Sequence, residues 1–280
     1  MGMATSPFED GYGDILKKAL FGLGIGEAAA AARSGVSPAV LREMLESRPN
    51  PDQTAIEQLA VLLELSPGKL VRLALDPGQP RAIALPVNIE KLEDRTGKSA
   101  NTWLVRCPAS LASFVIDPGG DPDFIMGQAS RDGFKLTAMF LTHGHADHTG
   151  GAGKISASLG VPALALDSEN GRIQGEVRAT FVKNGYGLRT KSFTLRFIHA
   201  PGHTPGHGII CAEGLGVVFT GDALFARSIG YACGSGAAYK TLLSAVQEII
   251  LELPWETIVC PGHGPLTTVA DEKTLNPFFP

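Results

Sequence analysis

Three imidazoles and a carboxylate fall within six residues of the segment FLTHGHADHTGG: His143, His145, Asp147 and His148. Imidazole nitrogens and carboxylate oxygens are the donors that hold Zn²⁺ and similar divalent cations, so this spacing points to metal chemistry. The other histidines, His199, His203, His207 and His263, all lie further along, and none precedes residue 143. His203 arrives on the Pro/Gly-punctuated FIHAPGHTPGH, Asp222 just past the strand-like GVVFTGD, and His263 just past TIVCPGHG. Loops at strand ends are where a rigid sheet presents functional side chains. In an extended segment His143 and His145, two apart, project to the same side, while Asp147 and His148 follow at a turn. A lone strand-end histidine is best explained by a backbone hydrogen bond. An H-x-H-x-D-H run joined by three further His or Asp loops is not. His199, inside LRFIHA, reads as structural, and His207, closing HTPGH, as packed behind the ligands.

The elements that must position these residues change character along the chain. Residues 1–78 read as helical. Ser37 followed by Pro38 marks a helix start, Asp52 caps QTAIEQLAVLLEL, and Ser66-Pro67 opens GKLVRLAL. Ile56, Leu59, Leu62 and Leu63 recur at helical spacing and bury one face. LDPGQP, Leu75 to Pro80, reads as a linker. From about Arg81 short apolar runs end in Gly, Pro, Asp or Asn: RAIALPVNIE, NTWLVRC, SFVIDPGG, LTAMFLTH, VPALALD, FTLRFIHAPG, GIICAEG, GVVFTGD and TIVCPGHG. With helical stretches such as GGAGKISASLG and AYKTLLSAVQEIILEL between them, residues 80–280 are expected to form an α+β core of sheets covered by helices.

The order H-x-H-x-D-H, PGHTPGH, FTGDALF, PGHGP resembles the metallo-β-lactamase superfamily over roughly residues 80–280. VIDPGGD, LTHGHADHTGG and the tail PGHGPLTTVADEKTLNPFF further resemble its small glyoxalase II-like branch. The resemblance implies an αββα sandwich. It also implies that His143, His145 and His203 hold one metal, that Asp147, His148 and His263 hold a second, and that Asp222 bridges them. Asp147 would in addition orient the nucleophile. Two divalent ions follow as cofactors: zinc first by ligand type, with iron or manganese as the harder occupants two carboxylates allow. The expected activity is thioester hydrolysis, on S-acyl-glutathione or a related substrate, by a metal-bridging hydroxide. A persulfide dioxygenase, with one iron on His143, His203 and Asp222, is the alternative within the superfamily.

Those branches carry a Gly-Arg pair and an acidic residue where this chain reads Gly230, Tyr231, Ala232, Cys233. Arg227 is therefore the expected substrate anchor, with Lys240 second and Tyr231 lining the pocket; Cys233 is expected to be a small buried thiol. Little chain follows His263, so the pocket is expected to be open on that side.

EAAAAARSGVSPAVLREMLES has the helix, Gly-containing turn and second helix of a helix-turn-helix. Together with the helical stretches after it, this segment resembles the Cro/C1 repressor family over residues 20–76. DNA would be its partner through a recognition helix from Pro38 to Ser47. Yet residues 1–78 hold seven Lys and Arg against ten Asp and Glu, a balance of −3, the wrong sign for a phosphate-binding footprint. A packing or dimerisation module is the stronger expectation, and a DNA-binding regulator with a metal-site sensor domain the weaker. The whole chain is 280 residues with net charge −4, 44% hydrophobic, and without a bilayer-length apolar run. Glu9, Asp10 and Asp14 do not suit a secretory signal, and Cys107, Cys211, Cys233 and Cys260 form no C-x-x-C pair. A cytoplasmic location with free thiols is expected. The opening MGMATS fits an N-myristoylation pattern too short to carry weight.

Overall fold

The computed structural model describes residues 6–174 and 176–280, so most of the MGMATS pattern lies outside the described residues. Helices α1 (Tyr12–Leu23), α2 (Glu27–Ser34), α3 (Pro38–Leu45), α4 (Gln53–Leu62) and α5 (Pro67–Leu75) form the first segment. Ser37 caps α3 by accepting from the Val40 N–H, and Asp52 caps α4 by accepting from Thr54 and Ala55. Ser66 makes no side-chain cap; its N–H is tied instead to the Pro277 carbonyl at the far end of the chain. On α3, Leu41, Met44 and Leu45 are buried, leaving Arg42 as the exposed cation of that helix.

Two six-stranded sheets come next. The first runs in order β1 (Ile89–Lys91), β2 (Trp103–Cys107), β3 (Ala112–Ile116), β4 (Lys135–Phe140), β5 (Ala163–Leu166), β6 (Ala179–Val182). The second contains β7 (Gly187–Arg189), β8 (Thr194–His199), β9 (Gly208–Glu213), β10 (Val217–Gly221), β13 (Ile258–Pro261) and β14 (Thr267–Thr268), in the order β14-β13-β10-β9-β8-β7. A two-strand ribbon, β11 (Leu224–Phe225) with β12 (Ser228–Ile229), follows Asp222. The remaining helices are α6 (Pro122–Ala129), α7 (Ala146–Thr149), α8 (Ala152–Leu159), α9 (Ala237–Ala245) and α10 (Val269–Leu275).

Alternation along the strands assigns each face. Trp103, Phe114, Phe140 and Leu164 of the first sheet meet Leu195, Phe197, Ile210 and Phe219 of the second in one buried cluster, with Phe140 and Phe197 ring centroids 5.3 Å apart. The intervening residues Leu104, Val115 and Met139 face the other way, onto Ile125 of α6 and Ile155 of α8. Ile209, Val218 and Val259 do the same for the second sheet, packing on α9 and α10. The order is therefore helix, sheet, sheet, helix. The helices α1 to α5 join the outer layer, because Ile15, Leu16 and Leu59 belong to the same buried cluster as Leu242, Val246 and Phe279.

Several expectations change. Of RAIALPVNIE only its last two residues, Ile89 and Glu90, are strand, where β1 begins; Pro86 cannot donate to a ladder. β6 and β7, short and largely exposed, have no counterpart among the expected strands. AYKTLLSAVQEIILEL is helical only to Ala245 and then widens into a π-helical turn, Val246–Ile250. Among the described residues no helix is long and apolar enough to cross a membrane.

Glu272, fully buried on α10, accepts from Thr267 Oγ1 (2.7 Å), Asn276 Nδ2 (2.8 Å) and the Arg227 N–H (2.9 Å). Burial nonetheless pushes its carboxyl up to about 7. The folded chain thus holds a proton that the unfolded chain releases at ordinary carboxylate pH, so this group's stability contribution is lost as pH rises from about 4.5 to about 7. Glu272→Gln should flatten that part of the profile. Melting temperatures of both proteins from pH 5 to 8 check it, and an unchanged difference would refute it.

Candidate metal centre

His143 and His145 sit on the loop leaving β4, with Asp147 and His148 on the single turn of α7 beyond it. His203 lies between β8 and β9, Asp222 directly after β10, and His263 directly after β13. Loops from both sheets therefore open at one edge of the sandwich, and the side chains converge there. His143 Nε2, His145 Nδ1 and His203 Nε2 are 3.0–3.1 Å from one another. A second group comprises Asp147, His148 and His263, where Asp147 Oδ2 is 3.2 Å from His263 Nε2 and 3.7 Å from His148 Nε2. Asp222 stands between them: Oδ1 is 3.2 Å from His148 Nε2, and Oδ2 is 3.6 Å from His203 Nε2.

Neighbours fix which ring nitrogen each histidine offers. Thr142 Oγ1 donates to Asp117 Oδ2 (2.8 Å), so it receives the Nδ1–H of His143 at 3.0 Å. His203 donates Nδ1–H to the Tyr231 carbonyl (2.7 Å), and His148 donates its own to Asp117 Oδ2 (2.9 Å). All three rings then turn Nε2 inward, toward one centre. His143 Nε2 and His203 Nε2, 3.1 Å apart, are spaced to share a cation. Tetrahedral bonds of about 2.0–2.1 Å place nitrogens roughly this far apart. His148 Nε2 and Asp222 Oδ1 are also buried without a hydrogen-bond partner. The donor set fits divalent metals.

The electrostatics agree. Burial, reinforced by the neighbouring His148 and His203, holds His143 well below the usual imidazole range, so its lone pair is free at neutral pH. Burial also pulls on His148, but Asp222 and Asp117 overrule it and hold that ring well above the usual range. A proton and a metal would compete for its Nε2. Asp222 stays ionised despite burial because His148 and His203 face it.

Residues that sequence reasoning missed hold this arrangement. Asp117, buried at the end of β3 with φ of 49°, binds Thr142 N–H as well as the groups above. Its segment VIDPGG carries part of the family resemblance, but nothing in the motif shows what the carboxylate holds. Glu169, 1% exposed, accepts from the Gly144 N–H (3.1 Å) and from Thr204 Oγ1 (2.9 Å), tying the His143–His145 loop to the His203 loop. Asn101 Nδ2 donates to the carbonyls of Pro261 and Gly264, both at 3.0 Å, on either side of His263. Nothing local in the sequence marks Glu169 or Asn101. Gly262 must lack a side chain, since a Cβ there would lie 2.3 Å from Asp222 Oδ1.

The expected second-layer and substrate residues divide. His207 is buried, and its Nε2 accepts the Asp222 N–H at 3.2 Å. The His199 ring bonds to the Pro205 carbonyl, away from the cluster. Tyr231 lines a cleft of about 460 Å³ together with His145, Arg172, His203 and Cys233. Arg227 is not in it: its guanidinium is held by the Pro77 carbonyl and lies 4.3 Å from the centre of the Phe8 ring. Lys240, exposed on α9, lines neither cleft at the site. Cys233 is exposed rather than buried, because its N–H bonds the Gly202 carbonyl and keeps the loop at the surface. The flank by His263 is not open either, for Glu9 packs against Gly264. A wider cleft of about 820 Å³ adjoins the other side of His145, lined by Arg95, Lys98, Asp147 and Gln174 among others.

Residues 95–263 match the Metallo-beta-lactamase superfamily, and the chain belongs to it. Helices α1 to α5 precede the matched residues. The hydroxyacylglutathione hydrolase GloC of Haemophilus influenzae is 30% identical over 182 residues, covering 59% of this chain and 86% of that protein. The human mitochondrial persulfide dioxygenase ETHE1 is 31% identical over 187 residues, covering 63% of this chain and 70% of that one. The crystal structure of TTHA1623 in a di-iron-bound form superposes with a TM-score of 0.56 at 30% identity, covering 70% of this chain and 100% of that one.

Asp117→Asn keeps the shape of the side chain but cannot accept all three of its hydrogen bonds. Metal affinity, measured by competition with a chromophoric chelator, should fall by about 10–100-fold, the usual cost of losing a partner that orients a ligand. Unchanged affinity would show that Asp117 only braces the fold.

Proposed function

We propose that this protein is a two-metal thioester hydrolase acting on S-acyl derivatives of an anionic thiol, of the S-acyl-glutathione type. The observation that carries the reading is the position of Asp222, one oxygen toward His148 and the other toward His203, which joins seven donors into one centre beside an open cleft. His143, His145 and His203 are assigned to one ion, Asp147, His148 and His263 to the other, and Asp222 to both. Bound divalent ions supply the chemistry of the class, lowering the pKa of water and polarising an acyl carbonyl.

The remaining work falls to the chain. Asp147, whose carboxyl is held below the usual carboxylate range by the neighbouring His263, is half-exposed on the cleft side and is placed to orient an attacking water. Arg95 and Lys98 at one cleft and Arg172 at the other are exposed cations that suit a carboxylate-bearing thiol carrier. They replace Arg227 and Lys240 as the anchors, and Tyr231 remains a wall for the substrate. The hydroxyacylglutathione hydrolase among the relatives supports a thioester as substrate.

The persulfide dioxygenase among the relatives supports a second reading, with one iron at His143, His203 and Asp222. Elemental analysis paired with activity separates the two. The hydrolase reading expects two metal ions per chain and turnover of an acyl-glutathione or acyl-CoA panel. One iron per chain, with oxygen uptake on glutathione persulfide, would replace it. His145→Ala or Asp222→Ala should lower turnover at least ~100-fold, while Arg172→Ala should raise KM and leave kcat nearly unchanged, the pattern of lost uniform binding. An unaltered KM in Arg172→Ala rules out that anchor.

A further inference from the structure

Helix α1 meets the metal centre through a buried charge. Lys18 is only 4% exposed, and its ammonium donates to Asp10 Oδ2 (2.5 Å) and to the Ile229 carbonyl (2.7 Å). The same ammonium lies 5.0 Å from the ring centre of Phe225 and 5.2 Å from that of Tyr231. Phe225 in turn sets its ring edge-on to His263, with centroids 5.8 Å apart. One turn along α1, Phe21 makes an edge contact with Tyr231 at 6.0 Å.

Ile229 is two residues from the carbonyl that orients His203, and the connection has no slack. A Cβ on the intervening Gly230 would lie 1.9 Å from the Asp222 carbonyl and 3.2 Å from His203 Nδ1. A shift of Ile229 must therefore move the Tyr231 carbonyl, or Asp222, or both. The helix itself is pinned from behind. A Cβ on Gly22 would lie 2.3 Å from the Tyr239 ring of α9, and the Gly22 carbonyl accepts the Gly236 N–H at 2.7 Å.

We propose that Lys18 is a positioning residue of the metal centre: it fixes the main chain at Ile229, so that the Tyr231 carbonyl holds His203 with Nε2 facing the cation. The helical segment is then a wall of the site and not a separate module. Burying a lysine against an aspartate is costly unless their geometry is good and their other bonds are made, which fits a pair kept for placement. The assignment rests on the metal centre above but not on the substrate.

The test is metal affinity in the full chain, by chelator competition without any substrate. The paired variant Lys18→Met/Asp10→Asn removes both charges, leaving no unpaired buried ion. One of two metal positions should weaken by at least about 10-fold, the scale of losing an orienting partner, and it should be the position that His203→Ala abolishes. The other should be unchanged. Wild-type affinity at both positions with only a lowered melting temperature would reduce Lys18 to a structural tie and overturn the proposal. Should the paired variant not fold, Phe21→Ala, at a half-exposed position, decides: it should weaken the same position by a smaller factor, and no change would overturn the proposal. Failure of the thioester reading would leave these measurements standing, whereas a wild-type chain that takes up no metal would remove the centre and this assignment together.

Discussion

His143 and His203 have no freedom over which nitrogen they show to the centre of the site. Each commits its Nδ1 proton to a neighbour, His143 to a threonine already donating to Asp117 and His203 to a backbone carbonyl. Two lone pairs are left facing each other at 3.1 Å in a place where burial disfavours protonation of His143. A divalent cation would satisfy that arrangement, so the hydrogen bonds behind the rings, more than the rings themselves, shape the edge of this sandwich for metal.

Those hydrogen bonds come from far along the chain, and the fold exists at this edge to deliver them. Asp117 ends β3, the ligand loop follows its parallel neighbour β4, and a single carboxylate ties that loop to His148. Glu169 does the same for the His145 and His203 loops, and Asn101 for the loop of His263. Asp117 and Glu169 are buried, and an unmade hydrogen bond to a buried polar group costs about 1–3 kcal/mol. The aromatic layer between the sheets makes the platform stiff enough for such placement to hold.

The outer layer contributes more than cover. In a superfamily domain the second sheet needs helices on its exposed face, and here α1 to α5 extend that layer beyond α9 and α10 as part of one buried cluster. Where α1 passes the loop after Asp222 it contributes Lys18 and Phe21, and the segment before it brings Glu9 beside His263. Buried charge outside the metal centre is concentrated along that seam and its continuation to Glu272, the carboxylate that receives the Arg227 N–H. The same commitment explains why Arg227 does not reach the cleft: its side chain closes the junction between the linker and the core.

Local chemistry in the sequence was enough to pick out the seven donors, the caps at Ser37 and Asp52, and most of the central strands. Each of these depends on residue type and short spacing, which need no knowledge of distant partners. The short, largely exposed strands β6 and β7 were illegible because they lack the apolar alternation that marks a strand, and they pair with neighbours already in place. Asp117, Glu169, Asn101 and Lys18 look like ordinary surface residues until the chain closes on itself. Apart from Asp10, eight positions from Lys18, their partners lie between 25 and 211 positions away. The types of the converging side chains were thus written in the sequence, while their orientation, the packing of Glu9 beside Gly264 and the displacement of Arg227 from the cleft were decided by long-range packing. A hydrogen bond's energy depends on where its partner ends up, and the linear order of the chain does not contain that.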